Sequence, residues 1–183
     1  ITERKEREAE LEMQSAAMEA SMDGISILDA DGEYIYMNDA HASVFDHAPE
    51  ELMGRSWRRV YADAEVERRE QDVFPELERT GQWRGETVGR RRDGTPGDQE
   101  ITLSLLDDGK LIRTNRDITA RKQRQRRFEA VFNNTYQFTG LMKPDGTLIE
   151  ANETALSFGG IDREDVVGKR LPETAWFQTE DAR

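Results

Sequence analysis

Setting Asp31-Gly32 over Asp145-Gly146, 114 residues further along, brings a series of positions into register without a gap. Asn38 falls on Asn152, Ser43 on Ser157, Glu50 on Glu164 and Gly54 on Gly168, while Ile27-Leu28 lands on Leu141-Met142 and Ile35 on Ile149. A period of this length is the size of a domain and far longer than a solenoid unit. The repeat therefore implies two copies of one fold. The second begins near Phe128 and reaches only the position equivalent to residue 69 of the first, so its last three strands would fall at 197–232, past Arg183. That predicts an incomplete second copy, mobile, with an apolar face holding Leu141, Leu148 and Phe158 left uncovered. The opening Ile1, in place of a methionine, reads as a piece of a longer protein.

The first copy can be parsed locally. Leu11, Met18 and Met22 recur at coiled-coil spacing among charged residues, which predicts an amphipathic helix over 3–22. Ile25, Ile27, the Asp31-Gly32 turn and Tyr34 to Met37 read as an antiparallel hairpin. Asn38 precedes Asp39-Ala40-His41-Ala42 as an N-cap, and Asn152 precedes Glu153-Thr154-Ala155 in the same way. Pro49 to Leu52 opens a short helix that Gly54 closes. Asp63 to Thr80 reads as one longer helix stopped by Gly81, with Val66, Val73 and Leu77 on one face. Three strands follow, near Trp83–Arg91, Glu100–Leu106 and Lys110–Ile118, joined by Asp93-Gly94 and Asp107-Asp108-Gly109 turns. Two strands, short helices and three strands make an α+β domain with a five-stranded antiparallel sheet, its helices on one face. From Thr119 to Thr135 neither Pro nor Gly interrupts a helix-favouring run, which predicts a connector helix between the copies.

These residues, in this order, resemble the PAS family. The resemblance rests on Asp23-Gly24-Ile25, Ile27-Leu28-Asp29, Asp31-Gly32, Asn38 with Ala40, and Glu50-Glu51-Leu52-Met53-Gly54. It continues through Trp83-Arg84-Gly85-Glu86 and Arg92-Asp93-Gly94-Thr95, and closes on Arg116-Asp117-Ile118-Thr119-Ala120-Arg121. It covers residues 14–121 fully and 128–183 in part. The implied organisation is a helix over 1–22, a complete first domain over 23–119, a connector over 120–135 and the start of a second domain over 136–183. The resemblance implies a sensor that binds a small ligand between sheet and helices, or dimerises, and passes strain through Asp117-Ile118-Thr119 to the following helix. It further implies an output domain in the same parent chain, a two-component histidine kinase being the first reading. A chemotaxis-type transducer, a transcription regulator and a noncovalent flavin-binding redox sensor are the alternatives.

Composition narrows the chemistry. The chain has no cysteine, which removes disulfides, thiolate metal sites and cysteine nucleophiles. In the family resembled, cysteine-linked flavin and chromophore sensors are excluded by the same fact. Haem held by a histidine on the long helix is excluded too, since 63–80 contains none. The two histidines, His41 and His47, are too few for most imidazole metal sites and read as surface or cap-adjacent residues. No phosphate loop or catalytic constellation stands out, and the aspartate pairs lie in turns. No enzyme activity is therefore expected of this region.

The net charge of −12 opposes nucleic-acid binding. The six bases of 116–127 read as a solvated connector. Only five of the 26 basic residues are lysine, a balance like that of salt-loving organisms. The longest apolar runs are too short to span a membrane, and the absence of cysteine suits a reducing, cytoplasmic setting. The candidate pocket residues are Arg113 and Asn115, which alternate with Leu111 on one face of the last strand. A buried arginine there would seek an anion. The competing reading leaves this face partly solvated, with Arg113 paired to Glu86 or Asp117.

Overall fold

The computed structural model describes residues 2–178; Ile1 and residues 179–183, the outer limits of the ranges above, lie outside it. The chain divides into two compact units, Ile1–Lys122 and Gln123–Arg183.

In the first unit, helix α1 spans Thr2–Glu19, strand β1 Gly24–Leu28, strand β2 Tyr34–Met37, and the short helices α2 and α3 Asp39–Val44 and Pro49–Leu52. Helix α1 stops at Glu19, so Met22 stands beyond it, 98% exposed, and cannot lie on a helical seam with Leu11. The β1–β2 turn is built as its aspartates suggest. The Asp29 carboxylate accepts from the N–H groups of Asp31 (3.0 Å) and Glu33 (2.9 Å), and Gly32 takes the left-handed conformation at φ 80°.

Asp63 to Thr80 is helical but not uniformly so. Helix α4, Asp63–Arg68, passes through a π turn at Arg69–Val73 into helix α5, Phe74–Thr80. The cause is Pro75. It has no N–H to offer the carbonyl of Gln71, and its ring would collide with that group in a regular α turn. The chain widens instead, and the Phe74 N–H reaches back to the Arg69 carbonyl.

Strands β3 (Gln82–Arg90), β4 (Pro96–Leu105) and β5 (Leu111–Asp117) complete a five-stranded antiparallel sheet in the order β2-β1-β5-β4-β3. Its inner face alternates as the pleat requires: Ser26 and Leu28 on β1, Leu111, Arg113 and Asn115 on β5, and Gln99, Ile101 and Leu103 on β4 are all buried. Phe45, Trp57, Tyr61, Val73 and Leu77 cover it from the helical side.

The second unit holds strands β6 (Gly140–Met142) and β7 (Leu148–Ala151) with helices α7 (Glu153–Gly159) and α8 (Arg163–Val166). Its backbone bonding repeats that of the first unit at the same offset. Tyr34 N–H to Arg55 O and Gly54 N–H to Tyr34 O recur as Leu148 N–H to Lys169 O and Gly168 N–H to Leu148 O. The bridge between Glu33 and Ser56 recurs between Thr147 and Arg170. One expectation is corrected: Leu148 is buried among Ala151, Ala155 and Val166, while Leu141 and Phe158 are exposed. Leu148 follows Tyr34 of the first unit into the core because β6 and β7 already fold α7 and α8 against their inner side. Helix α6 spans Thr119–Asn133, ending before the limit of 135 expected of the connector.

Candidate functional site

Two asparagines organise the start of each unit. Asn38 is fully buried, and its Oδ1 accepts from Ile25 N (2.8 Å) and His41 N (3.0 Å). Its amide nitrogen donates to the carbonyls of Met18 (2.9 Å) and Asp23 (3.1 Å). Asn38 is thus both the predicted N-cap and the knot joining α1, β1 and α2. Asn152 does the same, accepting from Thr139 N and Ala155 N, both at 3.1 Å, and donating to Gln137 O at 2.9 Å.

The cap sets α2 against the sheet with His41 facing inward. Of the surface or cap-adjacent positions expected, His41 takes the second, but its ring is fully buried, 5.3 Å from that of Tyr34 and 5.5 Å from that of Phe45. Its Nδ1 lies 3.0 Å from Asn115 Oδ1 on β5. Gly24 permits this approach: a Cβ there would stand 2.0 Å from Asn115 Oδ1 and 2.7 Å from His41 Cα. His47, by contrast, is half-buried beside α3, 3.6 Å from Glu51.

Arg113 is 1% exposed. Glu86 and Asp117 do not pair with it: Glu86 holds Arg121 and Lys122, and Asp117 holds Arg91 at 2.9 Å. Arg113 instead donates to Gln99 Oε1 (2.9 Å) and Tyr34 Oη (3.4 Å), with its guanidinium carbon 5.4 Å from the ring centres of both Phe45 and Tyr61. No carboxylate among the described residues forms an ion pair with it. A second guanidinium, Arg69 of the π turn, is 2% exposed and lies 3.9 Å from the Tyr61 ring centre. It donates to Glu65 (3.1 Å) and Thr87 (3.0 Å). Glu65 is already engaged by Arg68 through two bonds and by the Thr87 hydroxyl.

The electrostatics follow from this burial. Desolvation pushes the Tyr34 phenol up to about 12, partly offset by the charge of Arg113. Desolvation, reinforced by Arg113, holds His41 well below the ordinary imidazole value and outweighs the hydrogen bond to Asn115. His41 is therefore neutral at physiological pH, and its folding linkage has a definite sign. Below about 6.5 the unfolded chain binds a proton that the folded one refuses, so stability falls as pH drops. We expect a loss of up to about 1.4 kcal/mol per pH unit in that range, absent in His41→Gln. Urea unfolding at neutral and mildly acidic pH measures it; an equal slope in His41→Gln would refute it.

The sequence placed Arg113 and Asn115 on one face of β5 but missed Gln99, Arg69, Tyr61 and His41 as their neighbours. Gln99 carried a signal, since it alternates with Ile101 and Leu103 on β4.

At the junction, Thr119 N–H donates to Asp117 Oδ1 (2.7 Å), and Asp98 N–H donates to Thr119 Oγ1 (3.0 Å). Ile118 between them is buried, its N–H bonded to Asp98 O at 2.9 Å. Arg91 spans Asp117 and Thr119, at 2.9 and 3.3 Å. Of the basic run, Arg116 makes a bidentate pair with Asp23 at 2.8 and 2.7 Å, and Lys122 meets Glu86 at 2.5 Å. Among the described residues no cluster of three or more His, Cys, Asp or Glu could hold a metal ion, and no helix is long and apolar enough to cross a membrane.

This architecture has relatives. The PAS fold family matches residues 18–123, and a second match, to the PAS domain family, covers residues 138–183. The PAS domain of a Colwellia psychrerythraea protein is 23% identical, with a TM-score of 0.56 over 60% of this chain and 98% of its own length. That of a LuxR-family transcriptional regulator from Burkholderia thailandensis, solved in complex with ethanol, is 22% identical, with a TM-score of 0.53 and coverage of 57% and 96%. A domain of a sensory box sensor histidine kinase/response regulator from Geobacter sulfurreducens is 27% identical, with a TM-score of 0.50 and coverage of 59% and 94%. With the sheet order, the capped helices and the family match in agreement, the chain belongs to the PAS family.

Proposed function

We propose that this chain is the tandem-PAS sensor and dimerisation region of a signal-transduction protein, a two-component histidine kinase in the reading we favour. The likeness to the Geobacter sensor kinase domain supports that output. The observation that carries a relay role is the junction. Asp117 and Thr119 tie the first turn of α6 to β4 and, through Arg91, to the β3–β4 turn. A shift of the sheet would therefore be felt at the helix start, where a few hydrogen bonds set the angle between strand and helix.

The test is Asp117→Ala with Thr119→Ala in a fusion of this chain to a histidine-kinase core. Loss of the two caps costs about 1–3 kcal/mol of stability, and the basal autophosphorylation rate is expected to move several-fold while the region stays folded. A lowered melting temperature with an unchanged rate would make the junction a cap and nothing more.

Dimerisation would use α1, whose Leu11 and Met13 are 59% and 67% exposed. A helix of this length is marginal in water without a partner. Light scattering on the chain with and without residues 1–20 decides this, equal protomer number in both refuting it. The acidic, lysine-poor surface and the absence of cysteine fit a salt-rich cytoplasmic setting. Melting temperatures that fall when KCl is raised to molar concentration would contradict the salt-rich part.

A further inference from the structure

The inner face of the first unit carries a guanidinium, Arg113, that no carboxylate among the described residues pairs. Burying an unpaired guanidinium costs several kcal/mol, and a chain gains by replacing it with an apolar residue unless something else compensates. Here the compensation within the protein is weak: one amide oxygen, one long contact to a phenol and the faces of Phe45 and Tyr61. Around it lie buried polar atoms that find no partner among the described residues: Arg113 Nε, Gln99 Nε2, Asn115 Nδ2, His41 Nε2, the Tyr61 hydroxyl and the Ser26 hydroxyl. Native interiors leave few such atoms unpaired. All but His41 Nε2, on α2, are donors or hydroxyls, on three strands and on the segment before α4. Such a set is complementary to an acceptor-only group bearing negative charge. Arg69, on the same Tyr61 ring, adds positive potential, and its single nearby carboxylate, Glu65, is already shared with Arg68.

We propose that the first unit binds a small monocarboxylate between the sheet and α2, with Arg113 as its charge partner and Tyr61, Gln99 and Asn115 completing its hydrogen bonds. Gly24 and Gly89 belong to this design. A Cβ at Gly89 would stand 2.1 Å from Gln99 Nε2 and 2.7 Å from Phe45 Cε1, so glycine there leaves the amide its place. The second unit carries other residues at three matching positions. Leu148, Gly159 and Ala175 occupy the positions of Tyr34, Phe45 and Tyr61, and the cavity there, about 370 Å³, is bordered by Phe138, Met142, Phe158 and Trp176.

This assigns a stimulus class to the sensor reading above and rests on it for its biological meaning. Binding, however, is measured on this chain without any output domain. The experiment is thermal unfolding with sodium acetate or sodium pyruvate replacing sodium chloride at constant ionic strength. We expect a saturable rise of several degrees in the wild type and none in Arg113→Met, whose melting temperature in chloride should equal or exceed the wild type's. Tyr61→Phe, which removes one hydroxyl, should keep the fold and raise the half-saturating concentration about 5- to 10-fold. Equal responses to chloride and to both carboxylates would overturn the proposal, as would a rise retained in Arg113→Met. If Arg113→Met does not fold, an unshifted half-saturation in Tyr61→Phe overturns it instead. Carboxylate binding without any effect on the kinase fusion would leave the site standing and sink the sensor reading.

Discussion

Phe45→Ala is expected to destabilise the first unit by about 3–5 kcal/mol, the range for deleting a fully enclosed aromatic ring. Phe45 has no exposed surface and stands where three interactions meet. Its ring lies 5.5 Å from His41 and 6.1 Å from Tyr61, and its face is turned to the guanidinium of Arg113. Its backbone carbonyl also accepts from Arg92 N–H at 3.0 Å, so the β3–β4 turn is anchored at the same residue. Truncation would remove the cation–π contact and open a void beside an already uncompensated charge. Collapse of the surroundings is resisted by the sheet on one side and the capped α2 on the other. Phe45→Leu, which restores most of the volume, should recover more than half the loss. Urea unfolding with an unchanged slope measures both; a loss under about 1 kcal/mol in Phe45→Ala would show an interior that repacks freely.

Asn38→Ala is expected to cost about 3 kcal/mol, more than the roughly 1 kcal/mol of an ordinary N-cap. The excess comes from Ile25 N–H and the Met18 and Asp23 carbonyls, whose partner disappears in a place with little water. Each kilocalorie shifts the melting temperature of a domain this size by about 4–8 °C. The discriminating control is Asn38→Asp, which keeps the acceptor for the two N–H groups but loses the donor to the two carbonyls. If Asp restores full stability, the residue is a cap alone; an intermediate value is expected. Asn152→Ala should act in the same way on the second unit, because its bonds to Thr139, Ala155 and Gln137 are the counterparts of those of Asn38.

Much of this was legible in the order of residues. The 114-residue repeat predicted two units of one fold, and the bonding pattern around Tyr34 and Leu148 carries the same offset. Asn38 and Asn152 announced their helices, because a cap satisfies N–H groups only three residues away. The strand alternation of β5 put Arg113 and Asn115 beside Leu111, since side-chain direction in a strand follows from the pleat alone. These are local properties, set by neighbours in sequence.

What the tertiary structure alone decided concerns partners far apart along the chain. Met22 looked like the end of a seam and stands outside the helix. Asp63 to Thr80 looked uniform and widens into a π turn at Arg69–Val73, ahead of Pro75, which aims Arg69 at Tyr61. His41 sits in a polar-looking run and is buried, because the side of α2 that meets the sheet depends on how Asn38 knots α1 to β1. Arg113 finds Tyr34 and Gln99, 79 and 14 residues away. Whether a lone arginine on a strand is solvated, paired or left without a counter-charge depends on which acids reach it once the sheet has closed. Here Glu86 and Asp117 are held elsewhere, and the charge stays buried.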